Sequence, residues 1–377
     1  MLRRAGIRLA QVANFLGPSS GGLRVVVEEL GRAHLAQGGD RILVLPAPES
    51  SRVTAGRDLR LAVASPALPG SGGRYHVLLR RREVLGALEA FGPDVVEVHD
   101  QTTLTWVARW ARAVGVPSVL FSHERLDLVA EEFGRLPAGS LQRAGGRWSA
   151  RLAARFDEVI CASDFAAAPF TATGASNVRR VPFGVDLDCF APGHETSVRW
   201  EAGRRRLAFA GRMWHEKAPH VALDVLAELV AAGVPAQLAM VGAGPLESSL
   251  RRRARRERLP VTFAGHQRDR QRLAGLLGSA DVVLSPGHRE TFGLGVLEAM
   301  ACGTPVVVST RGASHELLGP GAGWAAGSAA GMALAVRRLL RDPQVHDAAR
   351  RAARERAEQF SWAATVQALN NRSAGRL

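Results

Sequence analysis

The sequence predicts two α/β domains in tandem, each built on a doubly wound parallel sheet. Short apolar segments alternate with helical segments along most of the chain, and this alternation restarts after residues 182–186. The 377 residues are also long for one domain, and a hydrophobic content of 46% can fill two cores. Sheets of this kind are covered by helices on both faces and bind ligands at the carboxyl ends of their strands.

The first domain is predicted to span residues 1–182 and the second to span residues 183–359. Buried strands are expected in the first domain at 7–13, 41–45, 95–98, 118–121, 158–161 and 178–181. In the second domain they are expected at 206–210, 237–241, 261–264, 282–284 and 305–308. A last helix beginning at Phe360 is expected to cross back, so that residues 360–377 belong to the first domain.

The composition limits the cellular compartment and the kinds of partner that can be expected. No run of about 18 apolar residues occurs, which argues against a membrane span, and the start of the chain lacks the features of a signal peptide. The three cysteines, Cys161, Cys189 and Cys302, stand alone, without metal-binding spacing. A reduced, cytoplasmic protein without structural zinc is therefore expected.

The formal net charge of +14 favours anionic partners. Of the 49 basic residues, a single one, Lys217, is a lysine. Nucleic acid is disfavoured as a partner, because the chain has one tyrosine and no recognised nucleic-acid-binding motif. Acidic lipid and sugar nucleotide are the partners that remain.

Residues 288–308 carry the strongest indication of function. Glu290 follows a predicted strand, and Glu298 lies in a helix that should start near Gly293 or Gly295. Free N–H groups at a helix N-terminus suit a phosphate, and a carboxylate suits sugar hydroxyls. A nucleotide-sugar meets both demands. The alternative is an ordinary strand–turn–helix with two solvated glutamates.

Lys217 is the second indication. A lysine kept in a chain that otherwise uses arginine indicates a pocket that requires a compact ammonium. Arg212 follows a predicted strand and Gly211, so both cations could reach the same phosphate. A pair of surface cations in a loop is the alternative.

Other candidate residues lie at strand ends. Glycines 17, 21 and 22 stand between the first strand and a helix, where they permit close approach of a ligand to the backbone. His123 follows the strand that ends at Phe121, although a lone histidine there could also be structural. Residues 242–245 and 265–266 follow strands of the second domain and could equally be structural turns.

Four motifs carry a resemblance to a known family. They are GPSSGGLR (17–24), SHERLD (122–127), GRMWHEKAP (211–219) and the segment from Glu290 to Glu298. With them the chain resembles the family 4 retaining glycosyltransferases of the GT-B fold, in which two Rossmann-like domains face a cleft. More narrowly, VANF (12–15) and SHERLD resemble actinobacterial mannosyltransferases that extend phosphatidylinositol mannosides from GDP-mannose.

The resemblance implies a role for each matching residue. Arg212 and Lys217 would neutralise the nucleotide diphosphate, so that Arg212, Lys217 and Glu290 would converge on a pyrophosphate-linked sugar. His123 and Glu290 would contact the donor sugar, and Glu298 the ribose. The remaining donor-binding positions would be Gly21 and Gly22 near the diphosphate, Gly242, Gly244 and His266 near the nucleotide, and the backbone N–H groups of Phe292, Gly293 and Leu294.

The family mechanism implies transfer with retention, usually described as front-face attack through an oxocarbenium-like state without an enzyme nucleophile. No metal and no cofactor beyond the nucleotide-sugar, GDP-mannose in the narrower match, are expected. Asp186 and Asp188 match a metal-binding DxD motif in letters only. The acceptor would be a phosphatidylinositol mannoside or related lipid. A family 4 enzyme with UDP-glucose or UDP-N-acetylglucosamine and a soluble acceptor, or a non-catalytic nucleotide-sugar binder, are the alternatives.

Two basic clusters complete the sequence prediction. Residues 73–82 mix basic and apolar side chains at roughly helical spacing and could form a helix that lies on an anionic membrane. Its candidate membrane or acceptor residues are Arg74, Tyr75, Arg80, Arg81 and Arg82. This would make the protein peripheral on the inner face of the plasma membrane; a core helix with a solvated basic face is the alternative. Residues 251–256 are predicted to be a solvated helix face.

Overall fold

The computed structural model describes residues 6–17, 21–69, 71, 73, 75–128, 138–196 and 198–371. The chain divides into two compact units, one of Met1–Pro182 with Thr365–Leu377 and one of Phe183–Ala364. The return to the first unit falls inside the last helix.

The first unit contains an eight-stranded sheet with the strand order β3-β4-β2-β1-β5-β6-β7-β8. All neighbouring strands are parallel except β3 and β4, which form an antiparallel hairpin at one edge. The strands are β1 (Arg8–Val12), β2 (Asp40–Ala47), β3 (Ser51–Ala55), β4 (Asp58–Ala64), β5 (Val95–Val98), β6 (Ser118–Ser122), β7 (Glu158–Cys161) and β8 (Val178–Arg180).

Helices cover both faces of this sheet. They are α1 (Gly22–Ala36), α2 (Arg81–Phe91), α3 (Trp106–Val114), α4 (Ala138–Arg155) and α5 (Asp164–Thr171). Ile42 and Val44 of β2 belong to the large core that contains Leu88 of α2, whereas Leu43 packs in a separate cluster with Val27 of α1. Successive residues of one strand therefore face different cores. This is the arrangement expected of a sheet that helices cover on both faces.

The second unit contains a six-stranded parallel sheet with the order β11-β10-β9-β12-β13-β14. Its strands are β9 (Arg205–Ala210), β10 (Ala236–Val241), β11 (Val261–Gly265), β12 (Val282–Ser285), β13 (Val306–Ser309) and β14 (Gly323–Ala326). Its helices are α6 (Pro219–Ala231), α7 (Glu247–Arg256), α8 (Arg270–Ser279), α9 (Leu294–Ala301), α10 (Ala329–Arg341) and α11 (Pro343–Glu358). A last helix, α12 (Trp362–Asn370), follows.

Every predicted strand is present, with ends shifted by at most two residues. The hairpin β3–β4 and the edge strand β14 were not predicted. β3 reads Ser-Arg-Val-Thr-Ala and is exposed throughout, so it lacks the apolar pattern that marked the other strands. The last helix begins at Trp362 rather than at Phe360.

The predicted helix over residues 73–82 is wrong. Of the described residues in this segment, His76 forms an antiparallel bridge with Ala67, and the N–H of Val77 donates to the carbonyl of Pro66. The N–H of Leu78 donates to the side chain of Asn14 at 3.0 Å. These bonds use backbone groups that a helix would need, so α2 begins only at Arg81. Arg74 lies outside the described residues.

Candidate active site

The candidate functional residues of the second unit lie where the strand order of its sheet reverses. β9 pairs on one side with β10 and on the other with β12, so the loops that follow β9 and β12 leave neighbouring strand ends. Such a switch point opens a crevice at the carboxyl ends of the strands, where open α/β sheets bind ligands. Arg212 and Lys217 lie on the first of these loops, and Glu290 lies on the second.

Lys217 and Glu290 are in direct contact. The ammonium Nζ donates to Glu290 Oε1, and the two side chains are 27% and 14% exposed. Lys217 ends a short 3-10 helix, His215–Lys217, and Ala218 closes it in the left-handed conformation with φ 46°. A Cβ added at Gly287 would lie 3.3 Å from Lys217 Cα, so a glycine there lets the two loops approach. An ammonium has three N–H donors, and the pair therefore keeps capacity for a further acceptor.

Arg212 lies five residues before Lys217, and its side chain is half exposed. It pairs with Glu216 at 3.0 Å across one turn of the same loop. Glu216 was not singled out from the sequence, although its spacing of four residues from Arg212 is a usual one for an ion pair. The pair orients the guanidinium at the end of β9.

The loop after β12 ends in a helix N-terminus, as predicted. Gly293 has φ 104° and precedes Leu294, the first residue of α9. A Cβ at Gly293 would lie 2.9 Å from Ser314 Oγ, so both its conformation and its surroundings require glycine. The Phe292 ring is buried and packs edge-on against Phe183 at 5.3 Å. The Phe292 side chain is therefore core, and its backbone alone could serve a ligand.

Glu298 lies one turn into α9 and is half-buried. Burial raises the pKa of its carboxyl group to about 7, against the smaller opposing influence of Arg270 and Lys217. A carboxyl group with a pKa near the working pH is a common property of functional sites. Glu298 thus changes charge around neutrality.

Gly242 and Gly244 are explained by packing of the loop after β10 against the loop after β9. A Cβ at Gly242, which has φ 128°, would lie 1.9 Å from the carbonyl oxygen of Gly211. A Cβ at Gly244 would lie 2.5 Å from the carbonyl oxygen of Met213. His266 is exposed just after β11. The donor-binding role of these three residues stays a prediction.

In the first unit the strand order reverses between β1 and β5. Gly21 caps the N-terminus of α1, and Gly22 is its first residue. A Cβ added at Gly21 would meet no heavy atom of the described chain within 4 Å. Two loops farther along the sheet, His123 follows β6.

His123 contacts His99, a residue that was not predicted from the sequence. Its Nε2 lies 3.0 Å from Nδ1 of His99, which follows the neighbouring strand β5. Burial, together with the neighbouring His99, holds the pKa of His123 well below its usual value, so the ring is neutral. Arg125, two residues after His123, donates to Asp127 at 2.8 and 2.5 Å and to the carbonyl of Phe165 at 2.8 Å.

The described candidate membrane residues surround the start of α2. Tyr75 is half-buried, and its ring lies edge-on to Phe15 at 6.3 Å. Arg80 and Arg82 are exposed, with Arg80 lying 3.5 Å from Glu83. The Arg81 guanidinium lies 5.6 Å from the centre of the Trp106 ring. Leu79, which directly precedes Arg80, is also exposed.

The Asp186 carboxylate is already bonded to other groups of the protein. It accepts the N–H of Cys189 at 3.0 Å and pairs with Arg270 at 3.2 Å. In the part of the chain that the structure describes, no group of three or more His, Cys, Asp or Glu side chains could hold a metal ion. Among the described helices, none combines the length and the apolar character needed to span a membrane.

Comparison with known proteins identifies the family. Residues 20–189 match the model of Glycosyltransferase Family 4, and residues 204–342 match that of Glycosyl transferases group 1. The chain is 41% identical over 362 residues to a GDP-mannose-dependent alpha-(1-6)-phosphatidylinositol dimannoside mannosyltransferase of Mycobacterium tuberculosis (strain ATCC 25177 / H37Ra), covering 94% of this chain and 93% of the relative. A GDP-mannose-dependent alpha-mannosyltransferase of Mycolicibacterium smegmatis is 34% identical over 64% of this chain and 62% of its own.

Among solved structures, a sucrose-phosphate synthase from Thermosynechococcus elongatus superposes with a TM-score of 0.77 at 22% identity, covering 98% of both chains. The fold is that of the GT-B glycosyltransferases. The chain belongs to glycosyltransferase family 4.

Proposed function

We propose that this enzyme transfers mannose from GDP-mannose, with retention, to a phosphatidylinositol mannoside or related lipid. The observation that carries the proposal is the contact between Lys217 and Glu290 at the switch point of the second sheet. The name of the 41% identical mycobacterial relative supports mannose as the sugar, GDP as the leaving group and a dimannoside lipid as the acceptor.

In this proposal the cations act on the leaving group. As the bond from the sugar to the diphosphate breaks, negative charge grows on the departing oxygen. Lys217 and Arg212 stabilise that charge from fixed positions, and the N–H groups at the start of α9 add to the effect. Glu290 accepts hydrogen bonds from sugar hydroxyls and holds the Lys217 ammonium at the same time. These groups require no metal ion.

The acceptor is held, in the same proposal, at a membrane surface. Leu79, Arg80 and Arg82, here called the α2 entry surface, combine an exposed apolar side chain with two exposed cations. Such a surface suits the headgroup region of an anionic bilayer. The protein would therefore work peripherally, at the cytoplasmic face of the membrane.

The test is a transfer assay with three donors, GDP-mannose, UDP-glucose and UDP-N-acetylglucosamine. Each is offered with phosphatidylinositol dimannoside in vesicles, and with soluble mannosides as the second acceptor arm. We expect GDP release and a lengthened glycolipid with GDP-mannose and the lipid. Turnover with a uridine donor alone would remove the mannose assignment and leave the family assignment intact.

A further inference from the structure

One buried asparagine joins the carboxyl ends of β1 and β5, the two strands that border the switch point of the first sheet. Val12 of β1 lies opposite Val98 of β5, so Asn14 and Asp100, each two residues farther along, lie side by side. The Asn14 amide donates to Asp100 Oδ2 at 3.0 Å and to Thr103 Oγ1 at 2.6 Å. Asn14 is fully buried, so these bonds take the place of bonds to water.

Asp100 is itself held by the residues that follow it. Its Oδ1 accepts the N–H of Thr102 at 2.7 Å and the hydroxyl of Thr102 at 2.6 Å. Its Oδ2 accepts the N–H of Thr103 at 3.2 Å and also the Thr103 hydroxyl. A carboxylate that accepts from four donors has little freedom to turn. The Asn14 amide therefore bonds to a fixed partner, and its own orientation is fixed as well.

The amide oxygen of Asn14 bonds to the segment that leads into α2. Asn14 Oδ1 accepts the N–H of Leu78 at 3.0 Å. Leu78 is 1% exposed and belongs to the large core of the first unit, whereas the next residue, Leu79, is 62% exposed. Fixing the backbone at Leu78 therefore fixes the place from which Leu79 projects. The α2 entry surface begins at this bond.

A ring contact joins the same two segments a second time. Phe15 has φ 60°, in the left-handed region that a bulky residue rarely occupies, and its ring lies edge-on to that of Tyr75 at 6.3 Å. The carbonyl of Tyr75 in turn accepts the N–H of Leu68 at 2.7 Å. The segment before α2 is thus attached to the loop after β1 through two neighbouring residues, Asn14 and Phe15.

We propose that Asn14 is a positioning residue that holds the α2 entry surface at the carboxyl ends of β1 and β5, so that a lipid bound by this surface presents its polar headgroup at the switch point of the first sheet. The proposal rests on the membrane role proposed above for the α2 entry surface. It assigns Asn14 no contact with substrate, because both amide N–H groups and the amide oxygen already have partners in the protein. Since open α/β sheets bind ligands at switch points, the place of this surface matters to the acceptor as much as its charge does.

Asn14→Ala and Asn177→Ala separate positioning from general stability. Asn177 also ties segments together, because its amide donates to the carbonyls of Ala153 and Phe156 at 2.9 Å each, but it precedes β8 and so lies at the amino ends of the strands. In Asn14→Ala we expect the KM for phosphatidylinositol dimannoside in vesicles to rise about fivefold or more, with kcat at saturating lipid and the affinity for GDP within about twofold of wild type. Asn177→Ala should lower the melting temperature and leave this KM unchanged.

Thr103 offers a milder pair of variants if Asn14→Ala does not fold. Thr103→Val keeps the shape of the side chain but removes the hydroxyl that accepts from Asn14, whereas Thr103→Ser keeps a hydroxyl. We expect the KM for the lipid to rise about threefold in Thr103→Val and to return close to the wild-type value in Thr103→Ser.

Hydrogen exchange gives a readout that does not depend on turnover. The N–H of Leu78 bonds to the side chain of Asn14, so its protection from exchange reports that bond. Exchange at Leu78 should become about tenfold faster or more in Asn14→Ala and should stay at the wild-type rate in Asn177→Ala. In the wild-type protein, vesicles of phosphatidylinositol and phosphatidylcholine should slow the exchange of residues 79–82.

Three outcomes would overturn the proposal. The first is a folded Asn14→Ala protein in which Leu78 exchanges faster but the KM for the lipid is unchanged, since the segment would then be loose without consequence for the acceptor. The second is unchanged exchange at Leu78, and the third is an equal rise of KM in Asn177→Ala. Failure of the proposed function would look different, because the wild-type protein itself would neither bind the vesicles nor use the lipid acceptor.

Discussion

At the scale of single residues, the candidate site of the second unit contains one compact cation in contact with one carboxylate. The Lys217 side chain passes over Gly211, where an added Cβ would lie 3.8 Å from its Cγ and Cδ, and its head contacts Glu290. Length and head-group shape are therefore both constrained. The sequence indicated the need for an ammonium, and the structure adds the partner that defines its position.

Lys217→Arg tests this constraint. A guanidinium is longer and planar, and it cannot keep the Glu290 contact while presenting the same point charge to a phosphate. We expect kcat to fall about a hundredfold, with a melting temperature close to that of the wild type. Arg252→Lys, on the exposed face of α7, is the matched control and should leave both quantities unchanged. Wild-type turnover in Lys217→Arg would show that a compact ammonium is not required at this position.

Glu298→Gln tests the raised pKa of Glu298. The pKa of Glu298 is about 7 in the folded state, above its ordinary value, so folding favours the protonated carboxyl group. The contribution of Glu298 to the free energy of unfolding is therefore complete below the pKa of the unfolded state and is lost as pH rises through 7. At pH 8 the wild-type protein carries a half-buried charge that the amide avoids. We expect Glu298→Gln to raise stability by about 1–3 kcal/mol at pH 8 and by much less at pH 5, measured by thermal unfolding. An equal effect at both pH values would contradict the shift.

At the scale of elements, the loops after the strands are held by close backbone packing. The N–H of Gly242 donates to the carbonyl of Gly265 at 2.8 Å, and the N–H of Gly211 donates to the carbonyl of Val241 at 2.9 Å. The loops after β9, β10 and β11 therefore form one layer at the edge of the sheet. Arg212 is positioned on that layer.

Gly242→Ala should disturb this layer. The new methyl group would collide with the carbonyl of Gly211 in a backbone conformation that alanine rarely adopts. We expect a loss of about 1–3 kcal/mol of stability and weaker GDP binding, measured by thermal unfolding and titration calorimetry. Gly86→Ala, inside α2 with nothing near its Cβ, should instead be neutral or slightly stabilising. Equal behaviour of the two variants would contradict this account.

The α2 entry surface makes a separate prediction. Replacing Arg80 and Arg82 by glutamate reverses its charge and should abolish flotation with vesicles of phosphatidylinositol and phosphatidylcholine, because basic residues near such a surface contribute about 1 kcal/mol each. The matched control replaces Arg252 and Arg255 on α7, which changes the net charge equally. If both double variants lose flotation to the same extent, the binding is a property of net charge and this surface has no special role.

The sequence predicted the elements whose cause is local. The apolar strands and the start of α9, which follows Gly293, are determined by neighbours in the chain, and both were predicted correctly. The helix predicted before α2 was wrong, because the structure of that segment depends on a bond between residues 64 positions apart, Leu78 and Asn14. His99 was missed for the same reason: its link to His123 follows from the pairing of β5 with β6 and from no nearby motif.

At the scale of the whole molecule, each unit is a doubly wound sheet with candidate functional residues at the strand ends flanking its switch point. In the first unit His99 follows β5, which borders the switch point, and it contacts His123 after the next strand, β6. In the second unit the residues are Lys217 and Glu290. The 41% identity extends over 94% of the chain, so the similarity to the mycobacterial mannosyltransferase includes both units. Family membership thus applies to the entire chain.

The central claim is that Lys217 and Glu290 together bind the donor, and calorimetric titration of GDP-mannose tests it most directly. The wild-type protein and Arg252→Ala should bind alike, whereas Lys217→Ala and Glu290→Gln should each bind about tenfold or more weakly, since a hydrogen bond to a charged group contributes about 1.5–3 kcal/mol. Undiminished binding of GDP-mannose by both Lys217→Ala and Glu290→Gln would contradict the account.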